Sequence, residues 1–387
     1  MMEESHRVYL DYAASSPVRT EALEAERAYE ASSYAGANPN SLHSAGREAA
    51  RALDGARRDI ARCLGGRFRP MEVVFTSGGT ENNNLAIVGM ARGARDRDRR
   101  RTRVVISAIE HDSGLDVAPT LRDLGFDVVT VAPTRAGVVE PERLNALMGP
   151  DVALVSVMAA NNETGVLQPI ADLAKVAHDA GALFYTDAAQ GFAKVALDVS
   201  GCDAVGIVGH KIGAPVGTGA LAIRMRCPIR PLMHGGGQER GIRPGTQDVR
   251  GALALAAAAK ASCDRLEETR AAVAVRAERL YALLCAEGTG IMPTTSCEVG
   301  ADRLPGMLSL LVEGIDSETL VLKLDALGFE VSAASACASG SAAPSHVLSA
   351  MGVPGQLAAG SLRVSFDERV SWEDLERFAH ALLGLTS

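Results

Sequence analysis

Two hydrophobic periods alternate along most of the chain. Between about residues 70 and 225, continuous apolar runs of strand length recur: "EVVFT" (72–76), "RVVIS" (103–107), "DVVTV" (127–131), "ALVSV" (153–157), "ALFYT" (182–186), "AVGIV" (204–208) and "GALAI" (219–223). Stretches with helical spacing, such as "ENNNLAIVGMARG" and "IADLAKVAHDAG", lie between several of them. β-Branched strands alternating with helices predict an α/β fold with a mostly parallel seven-stranded sheet covered on both faces. Reactive groups in such sheets collect at the carboxyl ends of the strands. Further on, the pattern changes. Residues 251–286, rich in Ala, Leu, Glu and Arg, predict a long helix that leaves one domain and enters another. A strand "MLSLLVEG" (307–314), a helix from Ser317, a short helix near Pro344, a strand "SLRVSF" (361–366) and a final helix then read as a smaller α+β domain. The expected division is a large domain over 16–258 and a small one built from 1–15 with 259–387.

Composition narrows the function. The chain has 387 residues, 47% hydrophobic, which is ample for a large core. Its net charge of −8 argues against a nucleic-acid or anionic-membrane partner. One basic run, "ARGARDRDRRRTR" (91–103), is broken by Asp96 and Asp98 and reads as a solvated connection. Seven cysteines without a C-x-x-C spacing give neither a zinc pattern nor a disulfide framework. Together with an N-terminus lacking a signal layout, this predicts a reducing cytoplasm.

One cysteine stands out. Cys337 sits in "SAASACASGS" (332–341), a run of small side chains that cannot fill a core. That setting suits a thiol that must move and react. Lys211, in "VGHKIGAPVGTG", follows a buried-looking strand; partial desolvation would lower its pKa and favour imine chemistry, unless it only snorkels from a loop. Asp187, in "LFYTDAAQG", ends a strand, where an ionised carboxylate is costly unless a cation meets it. The ring nitrogen of pyridoxal phosphate is such a cation, although a helix cap or a structural ion pair would serve too. "VFTSGGTENNN" runs strand, Ser-Gly-Gly-Thr, helix; Gly78, Gly79 and Thr80 fit a phosphate at a helix N-terminus. His111 in "ISAIEHDSGL" could stack on a planar cofactor and shuttle protons, or be a surface histidine. Asn162 in "AANNETG" offers an amide past a strand, and the glycine-rich loop 233–248 carries Arg240, Arg243 and Thr246, which suit anions.

These segments, with "YLDYAASSPV", "ANPNSLH", "DAAQ", "GHK", "HGGGQERGIRPGT" and "LRVSF", occur in the order seen in class I cysteine desulfurases, and the resemblance spans about residues 8–380. The cysteine motif resembles the S-x-x-S-A-C form. The resemblance implies a homodimeric, fold-type I, pyridoxal phosphate-dependent transferase. It implies that Lys211 holds the cofactor, that Asp187 pairs with its ring nitrogen, and that Gln190 reaches its hydroxyl. His111 would stack on the ring with Asn162 at the same face. Gly79, Thr80 and His210 would hold the phosphate, with Thr246 reaching it from the other subunit. Asn38 and Arg363 would bind the substrate carboxylate. Such an enzyme converts L-cysteine to L-alanine and leaves a persulfide on Cys337 for a sulfur acceptor, such as an iron–sulfur scaffold. His111 is the nearest candidate to help form the Cys337 thiolate, and the other six cysteines read as structural. Selenocysteine lyase or cysteine-sulfinate activity, or a non-catalytic sulfur-assembly partner, are the alternatives. The chain departs from the family at Val208, where a Ser or Thr usually bonds the phosphate, and in "IGAPVG" after the lysine, with Gly213, Ala214 and Val216. The lost hydroxyl predicts looser cofactor retention.

Overall fold

The computed structural model describes residues 7–333 and 345–386. Seven strands form the large sheet: β2 (Val73–Thr76), β3 (Arg103–Ser107), β4 (Asp127–Val131), β5 (Val152–Ser156), β6 (Leu183–Asp187), β7 (Ala204–Val208) and β8 (Gly219–Ile223). Their spatial order is β2-β8-β7-β6-β5-β3-β4, and only β8 runs against the others. Both faces are buried, which is why these strands read as unbroken apolar runs. Val74, Val104, Leu154 and Tyr185 pack on one face against Leu85, Ile87 and Met90 of the helix Gly79–Arg97. Their neighbours Phe75, Val105, Val155 and Phe184 face the other core, shared with the helices Ser44–Cys63, Ile170–Asp179 and Val249–Asp264.

The expected long helix is two helices. The first ends at Asp264, and Arg265 (φ −118, ψ 16) breaks the path before Leu266–Leu284 begins. Ser262, Cys263 and Asp264 are weak helix formers, which locates the break among them.

Beyond it stands a second, antiparallel sheet of β9 (Ile291–Pro293), β10 (Met307–Val312), β12 (Ser332–Ala333) and β13 (Ser361–Ser365), in the order β12-β13-β10-β9. Its own core joins Leu308, Leu310, Leu362 and Val364 to Leu280, Leu375 and Phe378. The N-terminal β1 (Val8–Tyr9) pairs with β11 (Phe329–Glu330), and Asp11 bridges to Ser365, so the first described residues belong to this core. The chain then crosses to the large sheet, where the Ser16 N–H donates to the His210 carbonyl at 2.8 Å. The segment 11–16 therefore lies between the two cores. Several charges of the basic stretch are paired: Asp96 with Arg230, Asp98 with Arg100, and Arg103 with Asp127 and Asp151. Among the described residues no helix is long and apolar enough to cross a membrane.

Candidate active site

Asp187, Lys211, His111, Asn162 and Gly79 each stand at or just past the carboxyl end of β6, β7, β3, β5 and β2, strands of one direction. Parallel topology thus brings to one edge residues that lie far apart in the chain.

The acidic group is built from neutral partners. Asp187 is 5% exposed and accepts from Asn83 Nδ2 (2.8 Å) and from the Ala189 N–H (2.8 Å). The orientation of Asn83 is set by Tyr185, whose hydroxyl donates to Asn83 Oδ1 at 2.6 Å. Asn83 Nδ2 also reaches Ser113 Oγ (2.8 Å), and Ser113 bonds His111 Nδ1 through its hydroxyl (2.9 Å) and its N–H (3.1 Å). One polar chain, His111–Ser113–Asn83–Asp187, therefore ties the stacking candidate to the carboxylate. Glu110, beside His111, is fully buried, and burial aided by Asp187 pushes it up to about 8. Its Oε1 accepts from the Met158 N–H at 2.6 Å.

Next to it lies an anion cradle. The helix Gly79–Arg97 begins without a side-chain cap, which leaves N–H groups of its first turn for a ligand. Gly78 has φ 146, a conformation that needs glycine. A Cβ on Gly79 would sit 3.0 Å from Val208 Cγ2, so the family-atypical valine forms the wall facing the cradle. Thr80 is exposed at its rim. His210 Nδ1 lies 3.3 Å from Ser15 Oγ. Burial, reinforced by the charges of Lys211 and Lys194, pulls His210 down to about 4, so at neutral pH it offers an N–H and no charge.

The basic groups are held mainly by backbone. Lys211 Nζ donates to the carbonyls of Ala13 and Ala14, both at 2.8 Å. Gln190 Nε2 donates to the same Ala13 carbonyl at 2.9 Å. Arg363 on β13 is 3% exposed; Nη2 meets Asp11 Oδ1 (2.8 Å) and Nη1 meets the Asn162 carbonyl (2.9 Å). Its buried Nε has no partner among the described residues, a donor left over for a carboxylate.

Cys337 lies outside the described residues, yet both flanks of its segment are fixed here. Upstream, Ser332 pairs across the sheet with Arg363. Downstream, the Ser345 hydroxyl donates to Glu163 Oε2, next to Asn162, and His346 Nε2 lies 2.9 Å from the Glu110 carbonyl, next to His111. Burial pushes Glu163 up to about 7, against the pull of Ser345, His346 and Arg363.

Asn38 and Thr246 stand apart from this group. Both are exposed. Asn38 Oδ1 accepts from the Asn40 N–H (2.9 Å), and Asn40 Nδ2 reaches Gln247, the neighbour of Thr246 (2.9 Å). Among the described residues no hydrogen bond joins either to the strand-end set. Sequence reasoning overlooked Asn83, Tyr185, Ser113, Asp11 and the Ala13 and Ala14 carbonyls. A signal did exist for Asn83: Asn82 and Asn83 are buried on a helix whose other buried residues are small or apolar.

This arrangement fits pyridoxal phosphate. A buried carboxylate whose recorded partners are neutral suits a cationic ring nitrogen, an uncapped glycine helix start suits a phosphate, and a lysine stands between them. Fold and site thus define an enzyme of the lysine-linked pyridoxal phosphate class. Comparison with known proteins agrees. The family model "Aminotransferase class-V" matches residues 8–378. The chain is 42% identical to an IscS-like cysteine desulfurase of Mycobacterium tuberculosis, covering 97% of this chain and 95% of that protein. A solved "NifS-like protein" superposes with a TM-score of 0.87 at 32% identity, over 98% of this chain and 99% of that one. A structure described as "SspA in complex with cysteine" gives 0.78 at 32% identity, over 92% and 98%. The chain belongs to the class-V aminotransferase family, among its pyridoxal phosphate-dependent cysteine desulfurases.

Proposed function

We propose that this protein takes sulfur from L-cysteine, releases L-alanine and carries the sulfur as a persulfide on Cys337. The observation that carries this reading is the anchoring of both ends of the Cys337 segment at the strand-end site, on Arg363 and on the neighbours of Asn162 and His111.

Bound pyridoxal phosphate supplies a carbonyl that links to amines and a ring that takes up electron density. Lys211 would hold it, Asp187 would keep its ring nitrogen charged, and Gln190 would reach its hydroxyl. Gly79, Thr80 and His210 would hold its phosphate. The chain's own residues do the rest. Arg363 receives the substrate carboxylate on its spare Nε, with Asp11 and the Asn162 carbonyl fixing the guanidinium. With the cofactor bound, Lys211 would be the base that takes the substrate Cα proton. Its two carbonyl partners favour the charged amine that results. The Cys337 thiolate attacks the substrate sulfur. The Cβ–Sγ bond breaks, a new S–S bond forms on Cys337, and the electron pair with a proton ends on alanine. His111, held by Ser113, assists in forming the thiolate.

The frame of this reading is the division into a large part over 16–258 and a small part of 1–15 with 259–387. The exposure of Thr246 supports a homodimer, in which it reaches the phosphate of the other subunit's site, and Asn38 would join Arg363 in binding the substrate carboxylate. An acceptor protein, such as an iron–sulfur scaffold, completes the transfer in the cytoplasm. The test is alanine release from L-cysteine. Wild type should release it, and Lys211→Ala and Cys337→Ala should release it far more slowly. Undiminished release by Cys337→Ala would overturn the role of the thiol.

A further inference from the structure

The mechanism above leaves one half-buried amine unused. Lys194 lies on the turn after β6, just past Ala193, whose φ of 58 is costly for an alanine and fixes the direction of the turn. Lys194 Nζ donates to Gln190 Oε1 at 3.1 Å. That bond settles which end of the Gln190 amide is the donor, and Gln190 Nε2 donates in turn to the Ala13 carbonyl at 2.9 Å. The same carbonyl accepts from Lys211 Nζ at 2.8 Å. The two lysines are thus joined through one amide and one carbonyl. They also line one cavity of about 650 Å³, open mouth included, together with Arg19, Arg270, Asp367 and Glu368.

We propose that Lys194 is a positioning residue of the reaction: acting through Gln190 and the Ala13 carbonyl, its ammonium fixes the Lys211 amine and weakens that amine's hold on a proton. The inference rests on the reading that Lys211 carries the cofactor. Like charges at close range disfavour each other's protonated forms. The groups facing Lys194 are Lys211, Arg363 and Arg19, which oppose its charge, and Asp367, which favours it. Burial and Lys211 together pull Lys194 down to about 7, so its charge is fully present below that pH and fades above it. His210, on the same side, is lowered by both lysines. An amine that gives up its proton readily is suited both to linking a carbonyl and to taking a proton from Cα.

The test is a pH titration of the visible absorbance of the cofactor-loaded enzyme. Four proteins are compared: wild type, Lys194→Met, Lys194→Gln and Lys194→Arg. Met removes charge and donor, Gln keeps a donor without charge, and Arg keeps both. The titration midpoint should rise by about 0.5–1 unit in the Met and Gln variants, a roughly three- to tenfold tighter hold on the proton, and stay near wild type in Arg. Should Lys194→Met fail to fold, Lys194→Gln carries the comparison. Midpoints equal to wild type in both neutral variants would overturn the proposal, as would an Arg midpoint displaced as far as that of Met. A wild-type enzyme without a visible band that Lys211→Ala removes would instead overturn the functional reading, and this inference with it.

Discussion

The two sides of the site are built in different ways. Asp187 is held by side chains that belong to the large sheet and its covering helix: Asn83, Tyr185 behind it, and Ser113 beside it. Lys211 and Arg363 are held largely by carbonyls and one carboxylate from segments remote in sequence, Ala13 and Ala14 for the lysine, Asn162 and Asp11 for the arginine. The acidic side is therefore rigid with one core, whereas the basic side depends on the N-terminal segment that joins the two cores. A carboxylate proposed to face a fixed ring needs a stiff seat. An amine that must let go of one partner and take a proton from another is better served by carbonyls that hold it without neutralising it.

The largest effect should come from the lysine itself. Lys211→Ala should remove the visible absorbance and lower alanine release by about 10²–10⁴-fold, the range of a lost acid–base group. If the mutant kept both, the basic side would be misassigned. Next comes the seat of the carboxylate. Asn83→Ala removes one bond to a charged group and should lower kcat/KM about tenfold to a hundredfold, with the KM for cysteine changing less than kcat. A change confined to KM would place Asn83 in substrate binding instead. On the cradle wall, Val208→Ser restores a hydroxyl and should slow cofactor release about tenfold, a gain of roughly 1–3 kcal/mol. Indistinguishable release rates would show that the valine costs nothing.

The smallest effect concerns stability. Glu110 is pushed up to about 8 from 4.5, so the folded protein binds a proton that the unfolded chain has released. Wild-type stability then falls as pH rises through about 4.5 to 8, and is level beyond. Glu110→Gln keeps an acceptor for the Met158 N–H without that loss. Its melting temperature should exceed wild type by about a few degrees at pH 8 and by less at pH 5. An advantage that does not grow with pH would mean that Glu110 stays ionised beside Asp187.

Much of this was legible in the sequence, for a physical reason. Strands buried on both faces print themselves as unbroken apolar runs, and the groups that must stand at their ends follow directly in the chain, as Asp187 follows "LFYT" and Lys211 follows "AVGIVGH". The order of strands was not legible, because it depends on which helix crosses which face. The break at Arg265 follows three weak helix formers, but the alanine-rich helix signal on both sides hid it. Backbone carbonyls have no side-chain signature, so the hold of Ala13 and Ala14 on Lys211 could not be read, although the segment bearing them stood out as a motif. Asp11 was hidden by distance, since it meets Arg363 only once β1 and β13 join the same small core.

The central claim is that a thiol flanked by Ser332 and Ser345 receives sulfur at the edge where Asp187 and Lys211 converge. Incubation of the cofactor-loaded enzyme with L-cysteine, followed by mass measurement of the peptide containing Cys337, tests it most directly. The account predicts one added sulfur on that peptide, absent without substrate and absent in Lys211→Ala. Alanine released at full rate with an unmodified Cys337 peptide, or with the sulfur on another cysteine, would contradict it.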